Sequence, residues 1–543
     1  MQKRALSVFL LLLSSLIFAQ PTTQWAKCFG GKGVDIGKTI LQMDDGGYLI
    51  AGSSNSLDGD IAHLHDSLGV NYDIVLLKTD ANGQLQWQKC IGGTQDDMAS
   101  AMIKTFDGGY AIGGYSWSKD GDNMGNVNYY SADYWLVKID SMGSIQWQKT
   151  FGGYLDDKMY GLAQTRDSGF IMIGTTLSHD GDVSGYHAKT DIWVVKIDTS
   201  RTIQWERCYG GSGDEYSGSI VQAQDGGYVF AGYTNSSDSD VVGLHTDYLG
   251  ENTYDYWVVN LDTLGNIKWS KCFGGDQHDY ASQVIKTKDD GYAVIGYSDF
   301  GVTLAGYLSY NDYWLIKLDT SGAVQWQKSY GGSNYDEANC IIQTNDNGYL
   351  VSGTSLSNDH EVIGNHGRYD YWVVKADGSG NFEWQESFGG SRNDFPYSVI
   401  QTNDNGYAIS GITYSYYGQI AGYHDSCSYD LSLSDSICTP DIWVVKLNPY
   451  EWIGNAMDTI KLSVYIYPNP FDIESTLKFR LDSIPTNSSV HIYNAIGQEL
   501  KSVPIISSSN TMKIFREALP KGFYICKLEH EGVILAAGKF VVE

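Results

Sequence analysis

One unit of sequence recurs seven times along the chain, and each copy opens with a tryptophan. A pair of glycines follows each tryptophan, and a turn aspartate comes 20 residues after it, a spacing that never varies. The tryptophans are Trp25, Trp87, Trp147, Trp205, Trp269, Trp326 and Trp384. The turn aspartates are Asp45, Asp107, Asp167, Asp225, Asp289, Asp346 and Asp404. A fixed period of this kind indicates that one supersecondary unit is repeated and that the copies pack on one another.

Each unit predicts four short strands, as the first copy illustrates, over about residues 25–29, 38–42, 48–53 and 74–79. Asp45-Gly46-Gly47, between strands two and three, is typical of a tight hairpin because glycine accepts a positive φ. Residues 80–83 predict a second tight turn before the next tryptophan strand. Two hairpins per unit require antiparallel neighbours, which favours the blades of a β-propeller over the alternative, a β-solenoid with parallel coils.

The two ends of the repeat region indicate how such a propeller would close. The region starts with a tryptophan strand and ends with residues 442–447, a fourth strand without a following partner. We expect the Trp25 strand to complete the last blade. The sequence therefore predicts an all-β protein whose residues 25–449 form a seven-bladed β-propeller.

The units resemble a bacterial seven-bladed β-propeller repeat family, in segments such as 273–279 and Asp255-Tyr256-Trp257-Val258-Val259. The resemblance covers about residues 25–447. It implies that strand two is innermost, that the tryptophan strand is outermost and that the Gly-Gly pair leads into the next blade. It implies little about chemistry, because most of the family is uncharacterised.

The N-terminus has the features of an export signal. Lys3 and Arg4 precede an apolar run over residues 5–18 and then Ala19-Gln20, which is the charged, apolar and small-residue order of a signal peptide. We predict a signal peptide over residues 1–19. No later stretch has the roughly 20 apolar residues that a membrane helix needs, so we expect a soluble mature chain without a transmembrane segment.

The periodicity stops after Pro449, where residues 450–463 have the character of a linker and residues 464–543 predict a small immunoglobulin-like β-sandwich. This last segment resembles the type A sorting domain of the type IX secretion system. The residues that carry the resemblance are Pro468, Asn469, Pro470, Gly497, Gly522 and Tyr524. It implies export with the type IX machinery as a partner, followed by release or attachment at the outer cell surface. Glu543 departs from the pattern, in which a basic last residue is common, and an ordinary terminal sandwich is the alternative.

The charge balance argues against one class of partner. Lys and Arg total 36 against 64 Asp and Glu, which gives a formal net charge of −28, and no basic patch suited to a phosphate backbone stands out. We therefore expect no nucleic-acid partner.

The cysteines divide into two groups. Cys28, Cys90, Cys208 and Cys272 each lie three residues after a repeat tryptophan. Equivalent positions in neighbouring repeats lie farther apart than the roughly 7 Å that a disulfide allows, so we interpret these residues as packing residues. Cys427 and Cys438 share one loop insertion, and we predict that they form a disulfide.

The variable loop after strand three carries carboxylates at alternate positions, often with a glycine between them. The pairs are Asp58 and Asp60, Asp120 and Asp122, Asp180 and Asp182, Asp238 and Asp240, and Asp359 and Glu361, and we predict that the first four can bind calcium. Such pairs resemble the opening of a calcium loop, because a hard cation needs several oxygen ligands. No terminal glutamate recurs, which excludes an EF-hand. The alternative is that the aspartates form Asx turns and cap backbone amides.

The sequence lacks the motifs of several enzyme classes, namely a serine nucleophile elbow, a phosphate loop and a dinucleotide fingerprint. We assign no catalytic residue. We expect a monomeric, non-enzymatic binding or cell-surface module whose ligand is a glycan or a protein. A secreted propeller polysaccharide hydrolase and a structural surface protein are the alternatives. We expect specificity to concentrate in blade seven, whose insertion carries Asp430 and Asp435.

Overall fold

The computed structural model describes most of the chain from Pro21 onward. The described residues are 21–123, 125–126, 131–299, 310–424, 427–430, 435–449, 464–467, 473–479, 488–494, 499–505, 511–516, 519–530 and 533–542. The predicted signal peptide, the linker 450–463, the Pro468-Asn469-Pro470 motif and Gly497 lie outside them. Contacts group the chain into two compact units, of which one is Thr22–Pro449 and the other contains the C-terminal residues from Tyr450.

Within Thr22–Pro449, the described residues form seven four-stranded antiparallel sheets, which we number as blades in chain order. The N-terminal strand β1 (Thr23–Phe29) belongs to blade seven. Blade one contains β2 (Asp35–Gln42), β3 (Tyr48–Ser54), β4 (Asp73–Thr79) and β5 (Leu85–Ile91). Blade two contains β6 (Asp97–Lys104), β7 (Tyr110–Ser116), β8 (Asp133–Ile139) and β9 (Ile145–Phe151). Blade three contains β10 (Asp157–Gln164), β11 (Phe170–Thr176), β12 (Asp191–Ile197) and β13 (Ile203–Tyr209).

The remaining blades repeat this order. Blade four contains β14 (Glu215–Gln222), β15 (Tyr228–Thr234), β16 (Asp255–Leu261) and β17 (Ile267–Phe273). Blade five contains β18 (Asp279–Lys286), β19 (Tyr292–Ser298), β20 (Asp312–Leu318) and β21 (Val324–Tyr330). Blade six contains β22 (Asp336–Gln343), β23 (Tyr349–Ser355), β24 (Asp370–Ala376) and β25 (Phe382–Phe388). Blade seven contains β26 (Asp394–Gln401), β27 (Tyr407–Thr413), β30 (Asp441–Leu447) and β1, and its loop adds a hairpin of β28 (Ser428–Asp430) and β29 (Asp435–Ile437).

The blades follow one another around a ring. The first strand of each blade packs against the first strand of the next, and β26 of blade seven packs against β2 of blade one. The amide of Asn403 donates to Gln42 Oε1, which bonds blade seven directly to blade one. Strand β1 pairs antiparallel with β30 and places Thr23 opposite Leu447. The N-terminal strand thus completes the last blade, as the sequence predicts.

Apolar side chains of strands three and four fill the spaces between blades. Strands such as β12 and β24 are buried along their whole length, and their indoles are fully buried. A tyrosine of one blade also donates to the backbone of the next, as Tyr134 does to the carbonyl of Trp193 at 2.9 Å. Burial of both sheet faces is why these strands have continuous apolar sequences rather than alternating ones.

The C-terminal unit is a β-sandwich. One sheet contains β31 (Val464–Tyr467), β32 (Glu474–Phe479) and β35 (Thr511–Phe515). The other contains β33 (Ser489–Asn494), β34 (Glu499–Pro504), β36 (Gly522–His530) and β37 (Val533–Val542). Its buried core includes Leu477, Ile514, Tyr524 and Phe540, which come from both sheets. Across the described residues of the whole chain, no helix is long and apolar enough to cross a membrane.

Candidate functional site

Each junction between blades is built around the first glycine of a Gly-Gly pair. At the junction of blades one and two this residue is Gly92, which lies between buried Asp73 of β4 and buried Asp97 of β6. A Cβ added at Gly92 would lie 2.7 Å from Asp73 Oδ1 and 2.6 Å from Asp97 Oδ2. Two acidic side chains flank the equivalent glycines, which are Gly30, Gly152, Gly210, Gly274, Gly331 and Gly389. Any side chain at this position would collide with both carboxylates.

Hydrogen bonds satisfy the aspartate that begins strand two. Asp97 accepts hydrogen bonds from the hydroxyls of Ser116 and Ser118 and from the amide of Gly93. Burial nevertheless raises the pKa of Asp97 to about 7. Burial also raises the pKa values of Asp279, Asp336 and Asp394 to about 7. These carboxyl groups therefore hold protons near neutral pH.

The aspartate that begins strand four binds a histidine in five of the blades. His65 Nδ1 lies 2.8 Å from Asp73 Oδ2, and its Nε2 lies 3.6 Å from Asp122 Oδ2 of the next blade. His424 repeats this arrangement with Asp441 at 2.7 Å and Asp60 of blade one at 3.4 Å. The other three histidines on the strand-four aspartate are His187, His245 and His366. Imidazole groups thus connect neighbouring blades at the face that carries the variable loops, which we call the loop face.

The first aspartate of each predicted pair caps backbone amides. In blade two, the amide of Thr94 donates to Asp120 Oδ1 at 2.7 Å, and the amide of Gln95 donates to Ser118 Oγ at 3.0 Å. The serine and aspartate that follow strand three by two and four residues form this capping pair. Asp58, Asp180, Asp238 and Asp359 accept the equivalent amide hydrogen bond.

The second aspartate of each pair lies against the glycine of the junction. The amide of Gly92 donates to Asp122 Oδ2 at 3.2 Å, and Asp182 and Asp240 accept equivalent bonds from Gly152 and Gly210. Among the described residues, no group of three or more His, Cys, Asp or Glu side chains is arranged to hold a metal ion. Calcium at these loops stays a prediction, and the observed bonds are those of the alternative, amide capping.

Blade five departs from this pattern. The positions two and four residues after its strand three hold Phe300 and Val302, which have no side-chain oxygen and lie outside the described residues. A Cβ added at Gly275 would have no atom of the described residues within 4 Å, whereas one at the equivalent Gly93 would lie 2.5 Å from the carbonyl oxygen of Asp120. The amides of Asp276 and Gln277, which correspond to Thr94 and Gln95, have no hydrogen-bond acceptor among the described residues.

A cleft of about 400 Å³ opens at this junction of blades four and five. It is lined by His245, Cys272, Phe273, Gly274, Gly275, Asp276, Asp279, Ser298, Asp299, Trp314 and Gln327. Asp276, Asp279 and Asp299 contribute carboxyl groups and two other residues contribute aromatic rings, so the cleft combines polar groups with flat apolar walls.

An aromatic cluster spans the same junction. Tyr280 of blade five lies 5.0 Å from Tyr233 and 5.6 Å from Tyr254 of blade four, measured between ring centroids. Tyr216 stacks on Tyr233 at 5.1 Å, and Tyr297 lies 5.1 Å from Tyr280. Tyr280 and Tyr297 directly adjoin the cleft residues Asp279 and Ser298 in the chain. Centroid distances of 4.5–7 Å are those of favourable aromatic pairs.

From the sequence we expected specificity to concentrate in blade seven and not at this junction. In blade seven, Cys427 and Cys438 form a disulfide with Cα atoms 4.3 Å apart, and Asp430 pairs with Asp435 in the β28–β29 hairpin. That expectation stays a prediction. The signal for the junction of blades four and five was the absence of the capping pair from the blade-five sequence.

Comparison with known families bears on the other end of the chain. A family model described as a secretion system C-terminal sorting domain matches residues 465–543. The C-terminal sandwich is a type IX sorting domain. The protein is therefore secreted through the type IX system to the cell surface or the extracellular space.

Two residues of the sorting motif lie in the described part of the sorting domain. Gly522 begins β36, and Tyr524 is buried against Phe540 with ring centroids 5.4 Å apart. The Tyr524 hydroxyl donates to the carbonyl oxygen of Pro520 at 2.6 Å. These contacts show that Tyr524 helps to build the core of the sorting domain.

No curated protein matches the sequence. Two solved structures resemble the chain distantly. Sqt1 from Chaetomium thermophilum is 10% identical, with a TM-score of 0.38 over 79% of this chain and 99% of that one. A DUF4221 family member from Bacteroides vulgatus is 10% identical, with a TM-score of 0.30 over 79% of this chain and 97% of that one. These scores support no conclusion about function.

Gly93 and Gly275 are equivalent glycines at a junction with the capping pair and at one whose sequence lacks it, so substitutions at the two positions can be compared directly. Gly93→Ala places a Cβ against the backbone of Asp120, and we expect it to lower the free energy of unfolding by about 1–3 kcal/mol. Gly275→Ala meets no atom of the part of the chain that the structure describes, and we expect a change in the free energy of unfolding within about 0.5 kcal/mol. Chemical denaturation measures both variants, and equal losses would contradict the structure of the junction.

The buried carboxyl groups predict how stability depends on pH. Asp97 and Asp336 keep their protons up to about pH 7 when folded, but release them near pH 4 when unfolded. Unfolding near neutral pH therefore releases protons, so we expect the melting temperature to fall as the pH rises from about 5.5 to about 8. His424 acts in the same direction, because its hydrogen bond to Asp441 raises its pKa. Thermal denaturation at constant ionic strength measures the trend, and a rise with pH would be the opposite result.

Amide capping and calcium binding make different predictions for a chelator. Because the capping aspartates already accept backbone hydrogen bonds, we expect EGTA to leave the melting temperature unchanged. Differential scanning fluorimetry with and without added calcium measures this. A melting temperature that falls in EGTA and recovers with excess calcium would establish the cation instead.

The sorting domain predicts the fate of a truncated chain. A chain that lacks residues 464–543 should remain in the periplasm, since it has lost the domain that the type IX machinery recognises. Cell fractionation and immunoblotting measure its location. The matched control Tyr524→Phe keeps the buried ring and should be exported normally, whereas export of the truncated chain would contradict the assignment.

Proposed function

We propose that the secreted propeller is a non-enzymatic binding module and that its ligand, a glycan or a protein, enters the cleft between blades four and five. One observation carries this proposal: the cleft and the aromatic cluster coincide at the blade whose sequence lacks the capping pair. A site that recognises one ligand has to differ from its symmetry-related copies, and this junction differs.

The chemistry of the cleft supports binding. Ligand sites in proteins are concave, about 300–1,000 Å³ in volume, and combine apolar or aromatic walls with a few polar groups. The cleft has a volume of about 400 Å³, with Phe273 and Trp314 on its walls and Asp276 and Asp299 among its polar groups. The aromatic cluster around Tyr280 lies at the same junction of blades four and five.

The alternative is a polysaccharide hydrolase, which needs a carboxylic acid with a raised pKa. Asp279 lines the cleft, and burial raises its pKa to about 7. The same rise occurs at Asp97, Asp336 and Asp394. A property shared by so many junctions belongs to the architecture of the ring, which favours binding over catalysis at this one. The other alternative, a purely structural surface protein, would leave the cleft without a ligand.

Removal of the central tyrosine tests the proposal. Tyr280→Ala deletes the ring that contacts both blades, and we expect it to weaken binding to ligands on a mixed glycan and peptide array by at least about 10-fold. Tyr154→Ala is the matched control, because Tyr154 is an exposed tyrosine at the junction of blades two and three. Equal binding by both variants, or no bound ligand at all, would refute the proposal. Release of reducing sugar from a bound glycan would favour the hydrolase.

A further inference from the structure

Strand two, the first strand of each blade, contains a β-bulge at the same position in all seven blades. Its register against strand three shifts across one unpaired residue, for example between Gly37 and Thr39 in blade one. A bulge leaves its extra residue out of the ladder and re-aims the side chain of that residue. The bulged residues, which we call the bulge ring, are Lys38, Ser100, Tyr160, Gly218, Ser282, Asn339 and Tyr397.

The bulge ring surrounds the axis of the propeller. The seven copies of strand two pack on one another in a closed circle, and the structure describes each of them over its whole length. Every bulged residue is partly or fully exposed, although the residue before it is buried in six of the blades. Because strand two is enclosed by strand three and by the neighbouring blades, the solvent that these residues meet is that of a central channel.

The bulge ring contains one charged residue, Lys38, and no carboxylate, in a chain whose formal net charge is −28. Lys38 Nζ lies 3.7 Å from the centroid of the Tyr397 ring of blade seven. Among the described residues, this ammonium group has no hydrogen-bond acceptor and no ion-pair partner. Lys158, the other lysine near the loop-face end of strand two, pairs with Asp156 at 2.8 Å. Lys38 is therefore a cation without a counter-charge inside the channel.

An unpaired ammonium group in this place is costly, because burial removes part of its hydration. Burial accordingly lowers the pKa of Lys38 to about 8. The cation–π contact with Tyr397 compensates for only part of this cost. The fully buried lysines of strand four, in contrast, each pair with the hairpin aspartate of their own blade at 2.9–3.0 Å. These lysines are Lys138, Lys196, Lys317, Lys375 and Lys446.

The two ends of the channel differ in charge. At the loop face, the positions directly before strand two carry three acids, and neither lysine nor arginine. The acids are Asp96, Asp156 and Asp214. At the opposite face, which carries the hairpins between strands two and three and which we call the hairpin face, Arg166 and Lys288 donate only to neutral groups among the described residues. The charged residues that end strand two there form ion pairs, namely Lys104 with Asp44 and Lys286 with Asp290. An anion is thus repelled at the loop face and attracted at the hairpin face.

We propose that the central channel binds an oxyanion, which is a carboxylate, sulfate or phosphate group, at the Lys38 ammonium, and that the anion enters from the hairpin face. The anion supplies the counter-charge that Lys38 lacks. The six other bulged residues carry no charge, so they do not repel it. This site is separate from the cleft between blades four and five, because no residue that lines the cleft belongs to the bulge ring.

Sulfate, phosphate and glucuronate are the three probes, each compared with chloride at the same ionic strength. Lys38→Met removes the charge and keeps most of the side-chain length. Lys158→Met is the matched control, because its ammonium already has a carboxylate partner. We expect at least one anion to raise the melting temperature of the native chain and of Lys158→Met, and to bind Lys38→Met at least about 10-fold more weakly. Differential scanning fluorimetry over a range of anion concentrations measures this, and the most effective probe identifies the anionic group.

Two further measurements separate a binding role of Lys38 from a structural one. Without the anion, Lys38→Met should melt above the native chain, because it removes an unpaired charge. Lys38→Arg keeps the charge and should keep the response to the anion. If Lys38→Met melts below the native chain, reductive methylation of the native chain replaces it as the test. The anion should then slow methylation of Lys38 several-fold and leave the exposed Lys32 unchanged, as mass spectrometry measures.

Three results would overturn the proposal. The first is that none of the three anions raises the melting temperature of the native chain above its value in chloride. The second is an equal response of the native chain and Lys38→Met, or equal methylation of Lys38 with and without the anion. The third is an equal loss of response in Lys38→Met and Lys158→Met, which would assign the effect to overall charge. The binding function proposed for the cleft would stand in each case, because Tyr280→Ala tests it at a different place.

Discussion

The packing of a glycine between two buried carboxyl groups determines how closely neighbouring blades of the ring can approach. Burying a carboxyl group costs free energy unless hydrogen bonds or a proton compensate, and both compensations occur at the junction of blades one and two. Asp97 accepts three hydrogen bonds and holds a proton near neutral pH. Because Gly92 has no side chain, the backbone of one blade passes between acidic groups of two blades. The blades can therefore approach closely at the loop face, where the candidate site lies.

Much of the fold could be predicted from the sequence, because its signals are periodic. Hairpin glycines such as Gly46, whose φ is 83°, and the invariant spacing from Trp25 to Asp45 predict strands, turns and ring closure without knowledge of any contact. The role of individual aspartates was harder to predict. Asp58 and Asp73 are both loop-face acids in the sequence, yet one caps an exposed amide and the other is fully buried beside a glycine.

The candidate site could not be predicted in the same way, because its signal is a gap in a pattern. We expected specificity in blade seven because its loop carries an insertion with two cysteines. In the sequence of blade five, Phe300 and Val302 occupy the positions that hold a serine and an aspartate in five other blades. The loss of two side-chain oxygens matters only once the structure shows which backbone groups they would have bonded.

The pairing of β1 with β30 joins nearly the first and last residues of the propeller, Thr23 and Leu447. A chain under synthesis cannot form this pair until all intervening strands have been made, so ring closure is a late event with a long loop to order. The sorting domain begins soon afterwards. A chain that terminates before Leu447 consequently lacks both the strand that closes the ring and the sorting domain, so an unclosed propeller of this kind is not exported.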